Sequence, residues 1–272
     1  MAQYKSQHYV PRCYLKSWET KSSIYSLPLG PGIVRKQETK KMCKKDHLYT
    51  LKDNSLDATK TFVESIGNPL FTELLTMSGI ESNWSTVIHA LENNFPIIPD
   101  LLSKLNSFVV LQSMRTPRFM REAKAMSAHI NDPLFKANVS DAERFLIQHF
   151  QFWPESIKNC VTEIVECSVV SNFITSDNPA THWLKDGEVY HLLKGLDYSG
   201  SLFGNPAYRI LCPIHPKFFV MLSPNLGIDT PDSIKKIPFR RNIFPDNVKQ
   251  INDMIRAGAD KMVFAKSTRD FI

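Results

Sequence analysis

The sequence predicts an α+β protein, with a mainly helical middle flanked by N- and C-terminal strands that form a small mixed sheet. Three observations carry that prediction. Ser22 to Pro28 (SSIYSLP) alternates in the manner of a strand, and Phe62, Ile66, Leu70 and Leu74 recur at the four-residue spacing of one helix face. Near the C-terminus, the apolar runs Arg209–Cys212 and Phe218–Leu222 flank the four residues PIHP, the pattern of a hairpin.

Taken in order, the strand at 22–28 ends in the loop LPLGPG, and a second strand is expected at His47–Leu51. Asp57 caps the first helical pattern, which Pro69 kinks. A helix over Ser85–Asn93 follows. Pro99 and Asp100 then open a strong helix that runs from Leu101 to Thr116, where the residue before Pro117 is pushed out of helical geometry, and a further helix covers Arg118–His129. Ser140 and Glu143 form a capping box for a helix ending near Trp153, and Pro154 opens another that reaches about Glu166. Val169–Thr175 reads as a strand that delivers Ser176 and Asp177 at its end. After the C-terminal hairpin come a helix over Val248–Ala257 and a last strand over Met262–Ala265. With no repeat and no low-complexity linker, residues 1–272 read as a single domain.

Composition excludes several classes. At 43% hydrophobic residues the chain can bury a sizeable core, yet its longest uncharged apolar runs fall far short of a membrane span, which takes roughly 18 residues. No membrane partner is expected, and without an apolar segment in MAQYKSQHY the expected location is the cytoplasm. Cys13, Cys43, Cys160, Cys167 and Cys212 are an odd set without a CxxC pair, so they read as buried small apolar residues rather than a disulfide framework or zinc ribbon. The net charge of +6 is concentrated in Arg35, Lys36, Lys40, Lys41, Lys44 and Lys45 and in Arg115, Arg118 and Arg121. Such clusters attract phosphates; a lysine run near a strand edge also guards against edge pairing. Phosphate-loop, dinucleotide, zincin and hydrolase-elbow motifs are missing from the sequence. The other histidines show no metal-ligand spacing.

The densest information lies in QHYVPRCYL (7–15), which gathers His8, Arg12 and Tyr14 around Pro11, a residue that fixes its own φ and favours extended backbone at Val10. Together with Glu64, QSMRTP (112–117) and TSDNP (175–179), this motif resembles an uncharacterised bacterial family, domain of unknown function 4238. The resemblance covers most of the chain in the family's order. It implies a fold family and no activity.

On the Leu101 helix, Leu101, Leu105, Phe108 and Phe119 centre an apolar stripe that also holds Gln112, with Arg115 at its margin. Unpaired polar groups there cost on the order of 2 to 7 kcal/mol, so they need partners, and Glu64, Asp177, Arg12 and Tyr14 are the candidates. Two readings stand. In the first, these groups form a hydrogen-bond network that locks the N-terminal segment onto the helices. In the second, His8, Arg12, Glu64, Gln112, Arg115 and Asp177 converge on a phosphodiesterase-like cleft, with a ribonuclease as the foremost case and nucleic acid as the partner. His8 then serves as general acid or base, Arg12 and Arg115 hold the phosphate, and Tyr14, Gln112 and Asn178 position it. Glu64 and Asp177 orient these groups or bind magnesium or manganese. A non-catalytic module binding a phosphate-bearing ligand or a protein through the same cleft is the alternative. A Cys13–His8 nucleophile pair is disfavoured, because Cys13 alternates away from its neighbours if the segment is extended.

Overall fold

A computed structural model describes residues 6–46, 48, 81–127, 160–167, 171–193, 205–224 and 239–272. The expected helices between 57 and 74 and between 140 and 159, and all but Leu48 of the strand expected at 47–51, lie outside these residues. Twelve strands and five helices are described: β1 Ser6–His8, α1 Arg12–Leu15, β2 Ile24–Pro28, β3 Arg35–Gln37, β4 Lys44–Asp46, α2 Trp84–Glu92, α3 Pro99–Met114, α4 Pro117–Ser127, β5 Cys160–Cys167, β6 Thr175–Ser176, β7 Thr181–Asp186, β8 Val189–Leu192, β9 Tyr208–His215, β10 Phe218–Pro224, β11 Phe239–Ile243, α5 Pro245–Gly258 and β12 Met262–Ala265.

The mixed α+β class holds, but strands rather than helices make up the described chain from Cys160 to Pro224. A six-stranded sheet runs β11-β5-β10-β9-β7-β8, with β11 parallel to β5 and every other pair antiparallel. The helix expected from Pro154 to about Glu166 is overturned over its last turns, because Cys160–Cys167 is a strand inside this sheet. Its side chains alternate between two cores: Ile164 packs in one and Val165 in the other. A four-stranded antiparallel sheet, β3-β2-β12-β6, joins the strand expected at 22–28 to the last strand and to the TSDNP segment. β1 and β4 form a separate antiparallel ribbon, with His8 opposite Lys44.

The two cores lie on opposite faces of the six-stranded sheet. On one, α1, α2 and α3 pack against Ile164, Ile210, Cys212, Ile214, Phe218 and Val220. On the other, Val248 and Ile255 of α5 and Val263 of β12 cover Val165, Leu211 and Phe219. α3 is buried on nearly all sides from Leu105 to Met114, which explains why its apolar stripe is so broad.

The N-terminal motif departs from the extended form expected of it. Pro11 is extended (φ −59°, ψ 141°) and stands immediately before α1, where a missing N–H costs the helix nothing. The alternation used against a Cys13–His8 pair therefore does not apply. The thiol is disfavoured on other grounds: burial pushes its pKa up to about 12, with Glu81 adding to the effect, so it stays protonated. The turn of α1 buries Tyr14 against Trp18, Trp84 and Phe108, at ring centroid distances of 5.0, 5.6 and 5.8 Å. The Tyr14 hydroxyl donates to the Pro213 carbonyl at 2.5 Å, and the Trp18 indole N–H donates to the Phe173 carbonyl at 2.9 Å. These two bonds tie α1 and the turn after it to the sheets, as buried Tyr and Trp polar tips require.

Candidate functional site

The C-terminal end of α3 grips the N-terminal segment by its main chain. Gln112 donates through Nε2 to the Tyr9 carbonyl at 2.9 Å, and Arg115 donates through Nη2 to the His8 carbonyl at 2.8 Å. The other arm of the Arg115 guanidinium meets Glu81 Oε1 at 2.8 Å. Both α3 side chains are buried, Arg115 being only 2% exposed. The burial and ion pairing expected of Arg115 are present, but its acid is Glu81, in a short 3₁₀ turn before α2. Asp177 is engaged elsewhere, and Glu64 lies outside the described residues. Gln112 Oε1 is buried without a hydrogen-bond partner among the described residues.

TSDNP plays a matching part at the other end of the chain. β6 delivers Asp177 to the start of β12, where Oδ1 accepts the Asp260 N–H at 2.9 Å and Oδ2 the Lys261 N–H at 2.9 Å. Burial pushes the Asp177 pKa up to about 6; the backbone donors pull it down, while the charge of Asp260 raises it further. Asn178 donates through Nδ2 to the Gly258 carbonyl at 2.8 Å and accepts the Thr116 hydroxyl, which ties QSMRTP directly to TSDNP. Arg118 finishes the junction by donating to the carbonyls of Gly258 (2.7 Å) and Ala259 (2.8 Å), where the C-terminal end of α5 carries partial negative charge.

Gly258 is required at this crossing. A Cβ there would fall 2.6 Å from Thr181 Cγ2, inside van der Waals contact. Gly258→Ala is therefore expected to lower the unfolding free energy by about 1 to 3 kcal/mol through overpacking, measurable as a fall in the urea midpoint. A variant as stable as wild type would mean that Thr181 yields at little cost.

Of the side chains singled out in the sequence, Tyr14, Gln112, Arg115, Asp177 and Asn178 are buried and bonded to backbone or to one another's neighbours. Arg12 is exposed, whereas His8 is half-buried, with its Nε2 buried and without a hydrogen-bond partner among the described residues. Burial lowers the His8 pKa, and the positive charges of Lys44, Arg115 and Arg12 lower it further. Along β3, β4 and the turn between them, Lys36, Lys40, Lys41, Lys44 and Lys45 are all exposed, with Lys44 opposite His8 and Glu38 paired to Lys40 (2.9 Å) and Lys41 (3.2 Å). Among the described residues no group of three or more His, Cys, Asp or Glu is arranged to hold a metal ion, and both Asp177 oxygens accept amides. No described helix is long and apolar enough to cross a membrane.

Two residues with functional geometry carried no signal in the sequence. Glu81 is one. The other is His215, whose Nε2 lies 3.3 Å from Glu92 Oε1 while its Nδ1 accepts the Lys217 N–H at 3.2 Å. Burial brings the pKa of this imidazole down to about 4, so it is neutral at pH 7. Only a search for paired His and Glu across the fold could have found it, because the two are far apart in sequence.

The arrangement defines a mixed α+β protein in which polar side chains from one helix end and one strand end fasten the two termini of the chain. The chain belongs to the family described as protein of unknown function DUF4238, which matches residues 6–269. No curated protein and no solved structure matches it.

Proposed function

We propose that the protein binds a phosphate-bearing ligand, with nucleic acid as the class and single-stranded RNA as the first candidate, on the basic face around His8 and Arg12. The observation that carries this reading is the clustering of cations at His8: Lys44 lies opposite it in the β1–β4 ribbon, and, after burial, which is the largest cause of its lowered pKa, the charges of Lys44, Arg115 and Arg12 all disfavour its protonation. A field that opposes a bound proton attracts a bound phosphate. Arg115 belongs to this field without touching the ligand, since its guanidinium is buried against Glu81 and the His8 carbonyl.

Anisotropy with labelled single-stranded RNA tests the reading. Arg12→Ala or Lys44→Ala is expected to weaken binding about tenfold, more than neutralising Lys40 and Lys41 together, because those two lysines already share Glu38. Equal effects would mean general surface attraction, and no salt-sensitive binding to RNA or single-stranded DNA would overturn the proposal. By NMR, the His8 imidazole is expected to titrate below its ordinary 6.5 in the free protein and to shift upward when the oligonucleotide is added.

A second reading, phosphodiester hydrolysis, is favoured by one observation: a lowered pKa leaves His8 unprotonated at neutral pH, the form that accepts a proton. Incubation with total RNA, with and without a chelator, tests it together with any need for magnesium or manganese. If cleavage occurs, His8→Ala is expected to lower turnover by about 10² to 10⁴ with RNA affinity retained.

A further inference from the structure

The face of the six-stranded sheet that packs on α5 is only partly covered by that helix. Beside it lies a groove of about 470 Å³ that crosses every strand of the sheet, from Asn242 on β11 over Val165 on β5, Phe219 on β10 and Leu211 on β9 to Lys185 on β7 and Tyr190 on β8. Neighbouring strands lie about 4.8 Å apart, so a path across all six is about 24 Å long, and a ligand that fills it is extended rather than compact. The floor belongs to the core opposite the one that α3 and the N-terminal motif complete, so this groove is separate from the basic face around His8.

Polar and apolar groups line this path in like measure. The α5 side carries side-chain amides: Asn242 near the end of β11, and Asn247 and Gln250 one turn apart on the helix. All three are exposed and make no side-chain hydrogen bond to any described residue. An amide both donates and accepts, which matches a hydroxyl group and needs no counter-charge. Phe244, a ring that is 78% exposed, stands at the β11 end of the groove and offers an apolar platform beside the amides. An extended peptide finds its main-chain partners along a strand edge, whereas this path crosses the strands on the face of the sheet, where the main-chain groups are already paired within the ladder. A nucleic-acid strand needs several cations, and among the described residues Lys185 is the one cation lining the groove, its Nζ 5.8 Å from the centroid of the Tyr190 ring. We propose that the groove binds a neutral oligosaccharide, whose hydroxyls meet Asn242, Asn247 and Gln250 and whose apolar C–H faces lie on Phe244 and the floor of the sheet.

Titration calorimetry with four neutral pentasaccharides, cellopentaose, maltopentaose, mannopentaose and N-acetylated chitopentaose, tests the proposal. At least one is expected to bind at a single site with a Kd of about 1 mM or tighter, and its disaccharide about tenfold more weakly because it reaches fewer strands. Raising the salt to about 0.5 M is expected to leave that affinity unchanged, since no ion pair holds the ligand. Phe244→Ala, at an exposed position, is expected to keep the thermal midpoint and to weaken binding about tenfold, as is the double substitution Asn247→Ala with Gln250→Ala. Absence of binding by all four pentasaccharides would overturn the proposal. So would a disaccharide that binds as tightly as its pentasaccharide, an affinity that collapses with salt, or wild-type affinity in both the Phe244→Ala protein and the double variant. Should the double variant fail to fold, Phe244→Ala decides: full affinity there refutes the assigned site.

Discussion

Arg115→Ala is expected to lower the unfolding free energy by about 3 to 5 kcal/mol, the largest single effect of any substitution considered. The alanine leaves Glu81, whose side chain is only 13% exposed, without its guanidinium, and the His8 carbonyl without its donor. Arg115→Lys is not expected to rescue much, because one ammonium cannot serve two acceptors on opposite arms as a planar guanidinium does. Chemical denaturation of the three proteins checks this. A loss below about 1 kcal/mol for the alanine variant would mean that water replaces the guanidinium at both contacts.

Asp177→Ala is expected to cost about 2 to 5 kcal/mol, since it strips acceptors from the Asp260 and Lys261 amides at the start of β12. Asp177→Asn keeps one acceptor and isolates the effect of charge. Burial raises the folded-state pKa of Asp177 from 3.8 to about 6, so the native protein holds this proton more tightly than the unfolded chain does. For a raised acid the favourable contribution is complete below 3.8 and is lost as pH rises through about 6. The stability of wild type relative to Asp177→Asn is therefore expected to fall by on the order of 3 kcal/mol between pH 4 and pH 7. A gap that widened with pH would show that the amide bonds outweigh burial and hold the carboxylate below its ordinary range.

What the sequence disclosed follows from how local each signal is. The strand at 24–28, the helices at 99–114 and 245–258 and the hairpin of β9 and β10 each carry their period or turn within one short window. Cys160–Cys167 did not. Apolar residues at 161, 164 and 165 suit a helix face as well as a strand, and its identity rests on pairing with β10 and β11, more than 50 residues away in the case of Phe218. β7, β8 and β11 escaped for the same reason, being short strands fixed by their neighbours. At the site, burial of Gln112 and Arg115 was legible because polar groups on an apolar stripe demand partners. Glu81 was not, because one carboxylate in a polar turn looks like any other until the fold brings it to Arg115.

The fastening of the N-terminus has a consequence for how this protein can change. α3 holds residues 8 and 9 through their carbonyl oxygens, and every amino acid possesses one. The anchorage is therefore indifferent to which side chain stands at position 8, and the chemistry presented there can be exchanged while the scaffold beneath it stays as it is. Substitutions at 8 should alter the proton chemistry the basic face offers, whereas substitutions at 112 and 115 should alter how long the face survives.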